Sequence, residues 1–374
     1  MHYRRTSLLA RAASSAAAAV VVALTLSACA APGEAAAPGD VDDAPATEST
    51  AAATDRPGVL RLGYFPNVTH APALVGIAGG YFEAALGDVA LEVHAFTNGP
   101  QALEALHAGA VDLTFTGANP AINAFVSANG ESLRFVAGTA SGGAQLVVRE
   151  GITGPADLYG TTLATPQLGG TQDVALRIWL EDHGFATDLG GGGDVSVTPT
   201  DNPQTFQLFQ SGHLDGGWLP EPWASRLVLD AGAHVLVDER DLWEGGEFNT
   251  TILVASTDFL SAHPDVVEDL LSGLVAAIDS IETDEARARE LSNDQIAHSA
   301  GGRLDDHVME RAFGNLTFTV DPLASALSTL QENGVRAGTT RPASLDGIYD
   351  LRPLNAVLRA AGREPVSAAG LGAE

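Results

Sequence analysis

From Val59 onward the apolar positions alternate between two periods. The runs VLRLGYF, VALEVHAF, AVDLTFTG, LRFVAG and AQLVVR have the length and β-branched content of strands. Between them, apolar residues return every three or four positions, which predicts helices over 71–86, 99–108 and 119–128. Further on, TLAT, DVSVTPT, LDGGWL and HVLVD read as strands, with helices over 203–211 and 221–231 and a last long strand, TTILVAS, at 250–256. Residues 257–363 read as mostly helical, with Pro264 and Pro322 marking helix starts. Strand–helix alternation of this kind predicts an α/β fold with mostly parallel sheets.

One stretch, ATPQLGGTQDVALRIWL (164–180), combines a strand end, a glycine turn and an amphipathic helix. Gly169 and Gly170 permit close backbone approaches, Thr171 reads as an N-cap, and Asp173 suits the positive end of the helix dipole. Val174, Leu176, Ile178 and Leu180 supply the buried face. Such a turn offers free N–H groups to an anion without a basic side chain, although an ordinary βα turn has the same sequence. A weak internal echo links HAGAVDLTFTGANPA (107–121) with QSGHLDGGWLPEPWA (210–224). Each runs helix end, glycine (Gly109, Gly212), aspartate (Asp112, Asp215), strand, loop and proline, as two facing α/β lobes would.

The N-terminus changes the picture of the compartment. Arg4, Arg5 and Arg11 precede an apolar run at 15–26 that is too short to span a membrane, and Leu26-Ser27-Ala28 leads to Cys29, the single cysteine. This resembles a bacterial lipobox: a signal peptide over 1–28, cleavage before Cys29 and lipid on it. Residues 29–57, rich in Ala, Pro, Gly and acids, read as a disordered tether. With Cys29 lipidated, no cysteine remains for a disulfide, a nucleophile or a metal. The histidines (His70, His94, His107, His183, His213, His234) lack metal-ligand spacing, and no GxSxG or P-loop occurs, so neither cofactor, metal nor enzyme activity is expected. The 374-residue chain carries 47 acidic against 19 basic residues, all arginine; its field disfavours nucleic acid and acidic membrane surfaces.

Four blocks in order, GYFPNVTHAPALVG (63–76), GPQALEALHAGAVDLTFTGANPAINAF (99–125), ATPQLGGTQDVALR (164–177) and GWLPEPWASRLV (217–228), resemble the solute-binding proteins of ABC importers for nitrate, taurine and aliphatic sulfonates. The likeness to the aliphatic-sulfonate binders is the strongest. The resemblance implies a two-lobed periplasmic-binding-protein fold of type II with two hinge crossovers. Lobe one would take 58–145 and 252–374, and lobe two 146–251. A monomer would trap a small anion in the cleft and deliver it to a permease and a separate ATPase subunit. Nitrate, taurine or a thiamine-type pyrimidine are alternative ligands. A pyrimidine-synthase-like enzyme of the same fold is a distant one, lacking its cysteine-rich motif here.

The blocks also nominate the cleft. Asn67, Thr69 and His70 follow a strand and are either contacts or turn and cap residues. Gly117 and Asn119 precede a helix start at Pro120, ordinary capping that also exposes amides; the family places a polar residue at Asn119. Gly170, Thr171 and Gln172 are the candidates for oxyanion recognition. Trp218 and Trp223 either cover an apolar tail or belong to the core. Glu221 either binds an amine or caps the following helix. Arg177 is the cation nearest the turn. If it points elsewhere, an anion must be held by amides, hydroxyls and dipoles, which suits a weakly basic sulfonate.

Overall fold

The computed structural model describes residues 56–374; the expected signal peptide over 1–28, the expected lipid site at Cys29 and nearly all of the expected tether lie outside the described residues. Of that tether, Arg56 is described, paired with Asp269 at 2.5 Å.

The first segment runs β1 (Val59–Tyr64), α1 (Ala71–Ala78), α2 (Tyr81–Leu86), β2 (Ala90–Ala95), α3 (Gly99–His107), β3 (Leu113–Thr116), α4 (Ala118–Ser127) and β4 (Leu133–Gly142). A second sheet follows in β5 (Ala144–Val148), β6 (Thr162–Thr165), α5 (Thr171–Asp182), β7 (Ser196–Pro199), α6 (Asn202–Gln210), β8 (Gly216–Pro220), α7 (Trp223–Ala231) and β9 (His234–Asp238). The chain then returns through β10 (Asn249–Ser256), α8 (Thr257–Ala262), α9 (Pro264–Thr283), α10 (Glu285–Ala300) and α11 (Asp306–Gly314). It ends in β11 (Leu316–Phe318), α12 (Leu327–Arg336), β12 (Tyr349–Asp350), α13 (Arg352–Ala360) and β13 (Gly372–Ala373).

The first sheet has the order β13-β12-β4-β10-β3-β1-β2, with β11 on β4, and the second β7-β6-β8-β5-β9. Each sheet is parallel through its βαβ units and antiparallel where a crossover strand enters from the other lobe: β10 against β3 and β4, β5 against β8 and β9. Central strands such as β3 and β5 are buried at every position because helices cover both faces, whereas the edge strand β2 is half exposed. Gly142 and Gly143 carry the first change of sheet in the left-handed region, φ 76° and 67°. On return, Asn249 already pairs with Ser141, so the second change of sheet precedes β10.

The 71–86 helix is two helices, broken where Gly80 takes φ 71°. Pro264 is the first residue of α9, but Pro322 starts no helix. It precedes Leu323 at φ 45°, a turn that points the chain toward α12. The internal echo has a structural basis. Asp112 accepts the Arg61 backbone N–H at 2.8 Å and Asp215 that of Thr162 at 2.8 Å, so each aspartate fastens a neighbouring parallel strand. Both stand before their strands, at the end opposite the cleft.

Candidate functional site

A cleft of about 250 Å³ lies between the lobes, at the carboxyl ends of β1, β3, β6, β7 and β8. The starts of six helices reach its wall: Thr69 and His70 before α1, Asn98 and Gly99 at α3, Gly117 at α4, Thr171 and Gln172 at α5, Asp201 and Asn202 at α6, and Trp223 at α7. The first N–H groups of a helix have no partner within it and carry the positive end of its dipole. Phe65, Phe96, Pro166, Pro203 and Pro220 make the rest of the wall largely apolar. The lobes touch across this space: Gly99 N–H donates to Gln167 Oε1 at 3.2 Å, and Arg336 of α12 meets Asp182 of α5 at 2.5 Å.

Of the residues nominated by sequence, Asn67, Thr69, His70, Gly117, Thr171, Gln172 and Trp223 line the cleft. Asn67 Nδ2 donates to Thr69 Oγ1 at 3.2 Å, which leaves the Thr69 proton free to point elsewhere. Burial holds His70 neutral, its pKa lowered to about 3. Its Nδ1 accepts the Phe65 N–H at 3.3 Å, so Nε2 carries the proton and is a neutral donor. Thr171 is not the N-cap of α5; Gly170 is, and Thr171 begins the helix with its buried Oγ1 unpartnered among the described residues. The arrangement leaves that hydroxyl for whatever enters the cleft.

Four nominated residues stand elsewhere. The Gly170 N–H is consumed by the Gln167 carbonyl at 3.2 Å, which closes the tight turn. Asn119 is turned away into α12, donating to the Leu330 carbonyl at 2.9 Å. Trp218 is fully buried in the second lobe, its indole N–H donating to Glu239 Oε2 at 2.7 Å, because β8 is covered on both faces. Glu221 is also fully buried, accepting the Ser225 N–H in the first turn of α7 at 3.0 Å and pairing with Arg311 at 3.0 Å. That geometry is the cap the sequence allowed, with an ion pair added. Arg177 does not reach the cleft: its Nε binds Asp173 at 3.0 Å and its Nη1 the Asp188 carbonyl at 2.8 Å.

Asp201 and Asn202 escaped the sequence reading, although the signal was present: DNP after β7 repeats the pattern of NGP after β2, a polar cap followed by proline in the first helical turn. Asp201 makes no side-chain cap bond, and Asn202 Oδ1 is buried and unpartnered among the described residues. Among the described residues, Asp201 is the one acidic residue of the wall and no arginine lines it, while His70 is neutral. Among the described residues, one group has the spacing to ligate a metal, Asp230, Asp305 and His307, all exposed and outside the cleft wall.

Two α/β lobes joined by paired crossovers, with helix starts converging on the space between them, define the periplasmic-binding-protein architecture. The chain belongs to the NMT1-like family, whose model matches residues 54–293. It is similar to the taurine-binding periplasmic protein of Escherichia coli K12, 25% identical over 206 residues, covering 55% of this chain and 62% of that one. It is also similar to the putative aliphatic sulfonates-binding protein of the same organism, 28% identical over 212 residues, covering 55% and 61%. The chain thus matches about three fifths of the length of these two relatives. Among solved structures, the alkanesulfonate-binding protein SsuA of Xanthomonas axonopodis pv. citri bound to MOPS superposes with a TM-score of 0.65 at 23% identity, covering 76% of this chain and 95% of that one. That likeness carries the fold.

Proposed function

We propose that this protein is an extracytoplasmic solute-binding protein of an ABC importer that captures a small organic oxyanion, an aliphatic sulfonate, in the cleft. One observation carries the reading: six helix starts and the Thr171 hydroxyl, unpartnered among the described residues, face a cavity to whose wall none of the described residues contributes a cationic side chain. Backbone amides, Thr69, Thr171 and the neutral His70 supply neutral donors for the three oxygens of a sulfonate. Phe65, Phe96 and Trp223 supply apolar contact for its alkyl tail. The named relatives support the same ligand class. No chemistry is assigned to the site. A monomer tethered through lipidated Cys29 would hand the solute to a permease driven by a separate ATPase.

Asp201 favours a second reading, taurine, whose ammonium it would accept while the helix starts hold the sulfonate. Calorimetry of the soluble chain from residue 56 against ethanesulfonate, taurine, nitrate and a hydroxymethylpyrimidine separates these ligands. Tight binding of a sulfonate is expected, weakened by about 1–3 kcal/mol in Thr171→Ala, the cost of leaving a buried acceptor unpaired. Asp201→Asn should weaken taurine alone. Binding of nitrate or the pyrimidine without any sulfonate would overturn the reading.

A further inference from the structure

Glu221 and Arg311 are left over by the ligand reading, and their geometry is specific. Glu221 lies in the turn between β8 and α7, flanked by Pro220 and, two residues on, Trp223; both neighbours line the cleft while Glu221 points the other way and is fully buried. Its Oε1 accepts from Arg311 Nη1 at 3.0 Å and from Asn315 Nδ2 at 2.7 Å, both from the segment that closes the first lobe. Its Oε2 accepts the Ser225 N–H at 3.0 Å. Arg311 completes the grip by donating to Ser225 Oγ at 2.8 Å and, through Nη2, to Gln145 Oε1 at 2.8 Å, beside the Gly142–Gly143 crossover. Both carboxylate oxygens are thus engaged, and four of these five hydrogen bonds, three of them from Arg311 of α11, join residues of the second lobe to the first.

We propose that Arg311 is a positioning residue for ligand capture: through Glu221 it fixes the Pro220–Trp223 turn of the second lobe against the first. A buried carboxylate that loses its partner is costly to keep ionised, so the turn has one well-defined place only while Arg311 is present. Trp223 reports on that constraint because its half-buried ring moves with the turn: it packs on the apolar cluster of the second lobe, with the Arg226 guanidinium 4.6 Å from its centroid, and reaches the cleft wall. The grip acts behind the wall, touching no ligand. It rests on the cleft being the ligand site, but the position of Trp223 can be read without a ligand.

The test labels the described chain with 5-fluorotryptophan, which gives four fluorine resonances for Trp179, Trp218, Trp223 and Trp243. Trp223→Phe identifies its own signal. In the ligand-free protein, Arg311→Met is expected to shift or broaden the Trp223 resonance and leave the other three in place, with Arg311→Lys in between. Glu221→Gln, which keeps an oxygen for the Ser225 N–H, should act in the same direction and covers the case in which Arg311→Met does not fold. An unmoved Trp223 resonance in these variants overturns the proposal. So does movement of all four together, which is general loosening of the fold. Ethanesulfonate added to the same samples should dissociate at least fivefold faster from the variants. Failure of the unaltered chain to bind it counts against the sulfonate reading alone, since the fluorine signals still decide the role of Arg311.

Discussion

Glu239 is buried, with the Trp218 and Trp243 indoles as its hydrogen-bonding neighbours and, among the described residues, no cationic partner, so burial pushes its carboxyl up to about 8. In the unfolded chain the same group titrates near its ordinary value of 4.5. Between those values the folded state binds the extra proton, so stability is fully present below about pH 4.5 and falls as pH rises toward 8, by roughly 1.4 kcal/mol per unit. His70 acts with the opposite sign: its folded pKa, about 3, lies below the ordinary 6.5, so its contribution is complete above 6.5 and is lost as pH falls toward 3. The Glu239 and His70 slopes oppose one another between about 4.5 and 6.5, and from about 6.5 to 8 the Glu239 slope is no longer offset by His70; Glu221, also raised by burial, acts with the same sign as Glu239. Glu239→Gln keeps an acceptor for Trp218 without a titrating group. Urea unfolding at pH 6.5 and 8 should show a loss of stability in the unaltered chain that is clearly smaller in the variant; parallel losses would refute this assignment. Nothing in the sequence marked Glu239, because its strand-end position looks like that of any solvated acid until Trp218 is placed above it.

Gly117, the N-cap of α4, decides how closely the lobes approach. Its own backbone is unremarkable, φ −72°, but a Cβ there would stand 2.8 Å from Thr171 Oγ1 on the opposite lobe. Gly117→Val should therefore leave each lobe folded and hold the cleft ajar. Small-angle scattering would show no compaction on adding the ligand, and affinity would fall at least tenfold; normal closure would show that the contact is not limiting. Helix starts of this kind were the legible part of the site: a strand, a polar or glycine cap and a proline announced α3, α4 and α6. Which residue of a start faces the cleft was not legible. The one-residue difference between Thr171 as cap and as first helical residue, and the turn of Asn119 toward α12, depend on packing between segments far apart in the chain. The same holds for β11, β12 and β13, of two or three residues each, which exist because β4 and its neighbours offer them partners and have too few residues to show a period.

At the scale of the whole molecule, alternation predicted an α/β fold and the family resemblance its two lobes, whereas the mixed strand directions follow from the chain crossing twice between sheets. Charge sets a separate problem for capture. The chain has a formal net charge of −28, yet the proposed ligand is an anion and, among the described residues, the cleft wall offers no arginine to draw it in. Helix dipoles act within their first turn, so they hold a ligand already inside and do little for one approaching through solvent. The net charge acts at longer range, over a Debye length of about 30 Å at 0.01 M salt and about 8 Å at 0.15 M. Association of ethanesulfonate, followed by stopped-flow tryptophan emission, should therefore speed up as salt is raised between those concentrations, with dissociation nearly constant. Taurine, neutral overall, should associate at a rate almost independent of salt. If the ethanesulfonate rate instead falls with salt, a local positive field at the cleft mouth outweighs the acidic surface, and the helix starts reach further than the first turn.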